Sequence, residues 1–358
     1  MKKMLKKTNH ASHTKRIMMV FDSPAEAMRI CPTIKKLKCI KNVVPVIVIS
    51  EQLETAQVMH DILKLFQVKV HYTLPITANE QQNLDQLTGW ALNDLTEIVK
   101  REKIVSTFVC GNSRIAFAAT LSSYYNGIPV TQVKGPTGYH EDESSFLGSR
   151  SKDLIGSLAK QEMILGLEES LQTIVTKYDN LFLAEESAHK KIILVDYQGK
   201  SNHKKVLKKI FQALKQVIDI HKEVIVVIPI KLTATIMELA NEILKGQQQI
   251  YFVQPFHILE KQQFVNRAWL IITDSSDCLE VAEALRTPVL VVQETAVKAV
   301  SGSHGPSVFI GLSKIQIVDW LTRLLTETAF YEKIAVRKLA NKEKYTTDQI
   351  IQSFASIE

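Results

Sequence analysis

The chain has 358 residues, of which 46% are hydrophobic and 23% are charged, and its formal net charge is +7. This length favours two domains, and the composition is ordinary for a globular protein. The positive charge does not indicate a nucleic-acid-binding surface, because +6 of it comes from residues 1–16, which contain no acid. The rest of the chain is therefore nearly neutral, and no aromatic residues alternate with the basic ones to stack on bases.

Residues 1–16 are predicted to form a solvated basic tail, with weak contact to an anionic membrane surface or an acidic partner as the alternative. The segment lacks the apolar region of a secretory signal, and no apolar run approaches the ~20 residues of a membrane span. The four cysteines are scattered, and no histidine or cysteine spacing indicates a metal site. We therefore expect a reduced, cytoplasmic protein that uses no metal and no cofactor.

Short β-branched runs alternate with longer helical patterns along the chain, and the runs are apolar on both faces, as in buried parallel strands. Strands are predicted at residues 17–21, 43–50, 68–72, 105–110, 129–133, 192–196, 224–228, 250–253, 270–273 and 289–293. Helices are predicted at residues 25–38, 81–101, 115–125, 204–218, 234–244, 279–285 and 346–355.

This alternation falls into two blocks and predicts an α/β protein with two doubly wound, Rossmann-like domains that face a cleft. After the basic tail, we assign residues 17–180 to an N-terminal domain and residues 181–340 to a C-terminal, nucleotide-binding domain. Residues 341–358 are expected to form a helix that returns to the N-terminal domain.

Three segments at strand ends carry the functional signal. They are VFDSPAEAMRICP (residues 20–32), CGNSRIAFAATLSSYYNGIPVTQVKG (110–135) and TDSSDCLEVAEALRTPVLVVQET (273–295). In the third, a polar loop leads from a buried strand into a helix, and the backbone N–H groups of such a loop can cradle a phosphate.

These segments resemble V-F-G-T-R-P-E-A-I-K-x-x-P, H-G-D-T-T-T-A and T-D-S-G-G-I-Q-E-E of the non-hydrolysing UDP-N-acetylglucosamine 2-epimerases. The resemblance runs from about Ile17 to the C-terminal helix. It implies the two-domain GT-B architecture, a UDP-sugar ligand and a homodimer.

The family's reaction inverts C2 of the sugar through loss of the C2 proton and departure of UDP from C1. Such chemistry needs an acid and a base near C2 and cations at the pyrophosphate. The positions where the family has these groups are occupied here by Pro24 (Arg in the family), Asn112 (Asp), Lys134 (Glu), Gly148 and Ser149 (both Glu) and Lys231 (His). The resemblance therefore implies a divergent member that lacks most of the catalytic residues.

The nucleotide-sugar-binding side is better preserved, and its candidate residues are Arg29, Ser275, Ser276 and Glu280. Of these, Ser275 and Glu280 match the family's residues, whereas Ser276 stands at a family glycine. In the family, the residue at Ser275 approaches the phosphate and the one at Glu280 binds the ribose hydroxyls, while Arg29 replaces a lysine. Two of these residues also have simpler explanations, since Ser275 is a good helix N-cap and Glu280 suits a helix surface. Asp277, at a family glycine, is expected to repel a pyrophosphate.

Three functions therefore remain open. The first is a catalytically impaired epimerase-like protein that binds a UDP-sugar and acts as a regulator or partner in cell-envelope glycan synthesis, alongside an active epimerase or another glycan enzyme. The second is an active epimerase, converting UDP-GlcNAc to UDP-ManNAc with shifted residues such as Glu141, Glu143, Lys134 or Lys231. The third is a GT-B glycosyltransferase in which Ser275 and Glu280 hold the donor nucleotide.

Overall fold

The computed structural model describes residues 14–51, 55–75, 84–135, 146–177, 190–199, 203–274, 278–293, 307–335 and 345–355. These residues form two compact units, each built on a six-stranded sheet in which all strands are parallel. The prediction of an α/β protein with two doubly wound sheets is confirmed.

The elements of the first unit alternate between strand and helix. They are β1 (Lys15–Phe21), α1 (Pro24–Leu37), β2 (Val43–Glu51), α2 (Ala56–Phe66), β3 (Tyr72–Pro75), α3 (Leu84–Arg101), β4 (Ile104–Cys110), α4 (Arg114–Tyr125), β5 (Val130–Lys134), α5 (Phe146–Leu158) and β6 (Gln161–Ile164). The C-terminal helix α13 (Thr347–Ala355) belongs to the same unit and packs on α1.

The second unit repeats the pattern. Its elements are α6 (Glu168–Lys177), β7 (Lys191–Asp196), α7 (His203–Ile220), β8 (Val224–Pro229), α8 (Ala234–Leu244), β9 (Ile250–Val253), α9 (Ile258–Arg267), β10 (Leu270–Thr273), α10 (Leu279–Leu285), β11 (Val289–Gln293), β12 (Ser307–Gly311), α11 (Lys314–Thr326) and α12 (Thr328–Ala335). Within the described ranges, no helix combines the length and apolar character that crossing a membrane requires.

Each sheet reverses its strand order at one point. The first sheet has the order β3-β2-β1-β4-β5-β6, and the second has β12-β11-β10-β7-β8-β9. In both, the first strand of the unit lies between the second and the fourth, so the chain leaves this pair of strands in opposite directions. Crevices at the carboxyl ends of such a pair are where open α/β sheets bind ligands. The pairs β1/β4 and β7/β10 therefore locate the candidate sites.

The two sheets are rigid supports for these edges. Core side chains of the first sheet, such as Met18 and Val48, are fully buried, as are Ile193 and Ile272 in the second. Burying aliphatic side chains on both sheet faces is the main stabilising contribution, at ~1.5–3 kcal/mol for each. The strand ends are thus fixed in position, and the loops that follow them carry the polar groups.

One strand prediction is wrong, and two strands were missed. The run at residues 68–72 is not a strand, because Gln67 adopts a left-handed conformation that ends α2 and the Val68 N–H bonds back to the Leu63 carbonyl at 2.9 Å. The strand β3 begins only at Tyr72. Strands β6 and β12 were not predicted, since in β6 only Met163 is buried and the segment carries no apolar run.

Candidate functional site

At the β7/β10 pair, one carboxylate organises the loop that follows β7. The Asp274 oxygens accept hydrogen bonds from the backbone N–H groups of Gln198 and Gly199, both at 2.8 Å. Gly199 has a positive φ of 69°, which allows the chain to turn sharply there. The loop after β7 is therefore tied to the end of β10, where the sheet order reverses.

A cavity of about 690 Å³ lies beside this loop, at the carboxyl ends of β7, β8 and β9. Its volume is within the range of small-molecule sites. Part of its apolar wall is formed by Leu207, Ile230, Ile236, Leu239 and Phe256, and its cationic groups are Lys204, Lys231 and Lys261. An apolar wall with a few cations suits a flat or hydrophobic group attached to an anion.

One of the cavity's lysines is paired with an acid in the cavity wall. The Lys261 Nζ lies 2.8 Å from Oδ2 of Asp196, the last residue of β7, and both residues line the cavity. The same oxygen accepts a hydrogen bond from the Cys278 thiol at 2.9 Å. Burial and the neighbouring Asp196 carboxylate raise the pKa of Cys278 well above its ordinary value of 9.0, so the thiol stays protonated.

At the β1/β4 pair of the first unit, two carboxyl groups lie together. Asp22, which follows β1, shares a side-chain hydrogen bond with Glu26 and another with Ser113, the N-cap of α4. Burial raises the pKa of both carboxyl groups, and for Glu26 the nearby Asp22 raises it further, well above the ordinary 4.5. Two carboxyl groups joined in this way hold one proton between them.

Glu26 also shapes the start of α1. Its Oε2 accepts hydrogen bonds from the backbone N–H groups of Asp22 at 2.9 Å and Ser23 at 3.3 Å, while Ser23 Oγ accepts one from the Glu26 N–H at 3.2 Å. This capping box places Pro24 at the first helical position, where its missing N–H is harmless. Glu26 further packs against Gly111, where an added Cβ would overlap Oε1.

Two cations of the first unit are held by neighbouring groups. Lys134, at the end of β5, forms an ion pair of 2.5 Å with Glu162 of β6, and only 14% of its side chain is exposed. The Arg29 guanidinium is buried, donates a hydrogen bond to the Leu165 carbonyl at 2.5 Å and lies against Gly135. Both cations are therefore engaged in contacts within their own unit.

The predicted site residues that the structure describes lie in both units. Pro24, Arg29, Asn112 and Lys134 lie at the carboxyl end of the first sheet, Gly148 and Ser149 fall within α5, and Lys231 and Glu280 lie at the carboxyl end of the second sheet. Glu141, Glu143, Ser275, Ser276 and Asp277 lie outside the described residues. The prediction that Ser275 caps the following helix therefore also lies outside the described residues, and within them α10 begins at Leu279 with Cys278 as its N-cap.

Sequence reasoning missed three residues of these sites: Asp22, Asp196 and Lys261. Asp22 had a visible signal, since it stands where the resembled motif V-F-G-T has glycine. Asp196 directly follows a buried apolar run, a position that faces ligands in parallel sheets. Lys261 gave no signal, because a lysine on a helix is usually solvated.

Comparison with known proteins adds the decisive observation. The sequence profile of the family described as UDP-N-acetylglucosamine 2-epimerase matches residues 153–355, more than half of the chain. The chain belongs to the UDP-N-acetylglucosamine 2-epimerase family. The resemblance found in the sequence is thereby confirmed.

Relatives of this epimerase family match along nearly the whole chain. The UDP-N-acetylglucosamine 2-epimerase of Yersinia pestis is 25% identical over 371 residues, covering 94% of this chain and 98% of its own. That of Bacillus subtilis is 23% identical, covering 89% and 90%.

The fold agrees with solved structures of the family. The UDP-GlcNAc 2-epimerase of Neisseria meningitidis, solved bound to UDP-GlcNAc, superimposes with a TM-score of 0.80 at 20% identity, covering 95% of this chain and 99% of its own. The predicted GT-B-like architecture is therefore confirmed. Within the described part of the chain, no group of three or more His, Cys, Asp or Glu side chains is placed to hold a metal ion.

Proposed function

We propose that this protein binds a UDP-sugar and that its 2-epimerase turnover is impaired. The Lys134–Glu162 ion pair carries this proposal, because Lys134 stands where the family's motif has a glutamate and its charge is already neutralised within the first unit. Asn112, at the family's aspartate, cannot act as a carboxylate base. Two groups on which proton transfer depends in the family are therefore replaced.

The second unit supports the binding half of the proposal. Its cavity combines apolar walls with the exposed Lys204 and Lys231, and Glu280 lies in the first turn of α10, where the family binds ribose. The Neisseria meningitidis relative was solved bound to UDP-GlcNAc. A UDP-sugar therefore agrees with both the chemistry of the cavity and the family.

Binding is tested by titrating UDP into the wild-type protein and a Glu280→Ala variant by calorimetry. We expect Glu280→Ala to weaken UDP binding by about 1.5–3 kcal/mol, the contribution of hydrogen bonds to a charged group. Glu283→Ala, one turn further along α10, is the matched control and should bind UDP like the wild type. Equal UDP affinity in folded wild-type and Glu280→Ala proteins would remove the ribose assignment.

An active epimerase with shifted acid–base residues is the second candidate. The observation that favours it is the Asp22–Glu26 pair, which carries a proton beside Ser113, the neighbour of Asn112 in the chain. A carboxyl pair with raised pKa values is a typical source of general acid and base. If the wild-type protein shows epimerase turnover, and this turnover disappears in an Asp22→Asn variant that still binds UDP, the active epimerase replaces the proposal of impaired turnover.

We further infer that an impaired member acts as a regulator or partner of an active UDP-sugar enzyme in cell-envelope glycan synthesis. The family resemblance motivates this role, since binding without turnover leaves the nucleotide sugar intact. Adding the protein to the Bacillus subtilis relative should change that enzyme's rate beyond the effect of an equal amount of an unrelated protein. An unchanged rate over a wide range of protein ratios would count against this partner.

A further inference from the structure

The cavity of the second unit contains a buried ion pair that its proposed ligand would meet. The Asp196 and Lys261 side chains are 12% and 18% exposed, and both line the cavity. The Lys208–Glu242 pair on the surface of the same unit is very different, with side chains 46% and 63% exposed. Burying two charges costs desolvation energy that their attraction barely offsets, so such a pair is weak evidence for a role in stability.

The position of the Asp196 charge is fixed by three contacts. Asp196 ends β7 and pairs in register with Thr273 of β10, and its Oδ2 accepts from both Lys261 and Cys278. Cys278 is completely buried, so its thiol holds the carboxylate from the protein side. The carboxylate and the ammonium group therefore stand side by side in the wall as a preorganised acceptor and donor.

The pair also determines how charge is distributed in the cavity. Three lysines line it, but Asp196 neutralises Lys261, whereas Lys204 and Lys231 are exposed. A phosphate placed next to the pair would lie close to the Asp196 carboxylate and be repelled. An uncharged group that offers an N–H or O–H to Asp196 and an oxygen to Lys261 would satisfy both.

We propose that the Asp196–Lys261 pair is a specificity determinant of this cavity. It accepts the uncharged, hydrogen-bonding end of a nucleotide and leaves the phosphates to Lys204 and Lys231. This inference rests on the proposed UDP-sugar binding and names the feature that decides which end of the ligand enters.

The test compares the affinities of uridine and UDP, measured by calorimetry, in wild type, Asp196→Asn, Lys261→Met and the double variant. Asp196→Asn leaves Lys261 unneutralised, so the ratio of UDP affinity to uridine affinity should rise about tenfold. Lys261→Met leaves Asp196 unneutralised, so the ratio should fall about tenfold. One unit charge about 12 Å from a phosphate contributes roughly this much at an effective dielectric constant of about 20.

The double variant protects the test against misfolding, because it removes both charges and leaves neither one buried alone. Its affinity ratio should return to within about threefold of wild type, and thermal melting confirms that each variant is folded. Glu327→Gln, which frees the exposed Arg323, is the matched control and should leave the ratio unchanged, because this pair lies near the start of β7 and the cavity lies at the carboxyl end of the strand.

Two results would overturn the inference in different ways. If uridine and UDP bind but both single variants move their affinities in parallel, the pair does not select between ligand ends, and the proposed UDP-sugar binding still stands. If folded wild-type protein binds neither compound, the proposed binding is wrong and the selectivity is wrong with it.

Discussion

At the end of β1, the carboxyl groups of Asp22 and Glu26 share a hydrogen bond, which requires one of them to carry a proton. Arg114 of α4 is a charged neighbour of Asp22, and Ser113 shares a hydrogen bond with Asp22. The Cys110 thiol donates to the Glu26 backbone carbonyl at 3.9 Å. Because Glu26 also accepts two backbone hydrogen bonds at the start of α1, its protonation is linked to the stability of this loop.

The sign of this linkage follows from the raised pKa values. Between the ordinary carboxyl pKa of 4.5 and the raised value, the folded protein binds more protons than the unfolded chain, so the free energy of unfolding falls as pH rises. Glu26→Gln replaces the protonated acid with a neutral amide, and its free energy of unfolding should fall less over this window. Urea unfolding of both proteins at a series of pH values measures this pH dependence. If the free energy of unfolding changed with pH in the same way in both proteins, the shared proton would be contradicted.

The proposed loss of 2-epimerase turnover can be tested by restoring the family's residues at Lys134 and Asn112. We expect Asn112→Asp combined with Lys134→Glu and Glu162→Gln to raise the conversion rate of UDP-GlcNAc by about a hundredfold, the scale of general acid–base catalysis. The third substitution removes the like charge that Glu162 would present to the new glutamate. Glu162→Gln alone is the control and should not raise the rate. A folded triple variant no faster than wild type would show that other losses limit turnover.

At the scale of elements, the loops after β4 and β7 are shaped by close contacts with neighbouring carboxylates. Gly111 has a φ of +81° and lies against Glu26, and Gly199 is held by Asp274. Both loops follow the strands at which their sheet reverses order. The path of the backbone at these edges therefore depends on specific side chains of the adjacent strand or helix.

Gly111→Ala should destabilise the protein by about 2–4 kcal/mol, because a Cβ there meets both a left-handed backbone and the Glu26 carboxylate. Gly127→Ala is the matched control, since Gly127 has a φ of +67° but nothing within 4 Å of the added Cβ. Its cost should be only about 1 kcal/mol. Urea unfolding measures both, and equal losses would show that the Glu26 contact is unimportant.

Across the whole molecule, the sequence alone was sufficient to predict the bounds of a strand where the apolar pattern of that strand is local. Strands β9, β10 and β11 begin and end where predicted, because each is a short apolar run bounded by polar or turn residues. The same rule was wrong for residues 68–72, where Val68 is buried by packing at the end of α2 rather than in the sheet. The apolar pattern reports burial, and a helix terminus can bury a residue as well as a strand can.

The candidate sites were only partly predictable for a related reason. Motif positions such as Lys134 and Lys231 could be read from the sequence, but their partners could not. Lys134 meets Glu162 because β5 and β6 are neighbours, and β6 itself was not predicted. Asp196 and Lys261 come from distant parts of the chain, and only tertiary packing of α9 beside β7 joins them. The charge of a site thus depends on contacts that no local pattern encodes.

The most direct test of UDP-sugar binding with impaired turnover is proton NMR of the protein with UDP-GlcNAc in heavy water. Saturation-transfer signals from the nucleotide report binding, while deuterium at C2 or the appearance of UDP-ManNAc reports turnover. We predict clear, UDP-competable binding signals and a conversion rate at least about a hundredfold below that of the Bacillus subtilis relative at equal concentration. Conversion at a rate comparable to that relative, or no binding signal from folded protein, would contradict the account.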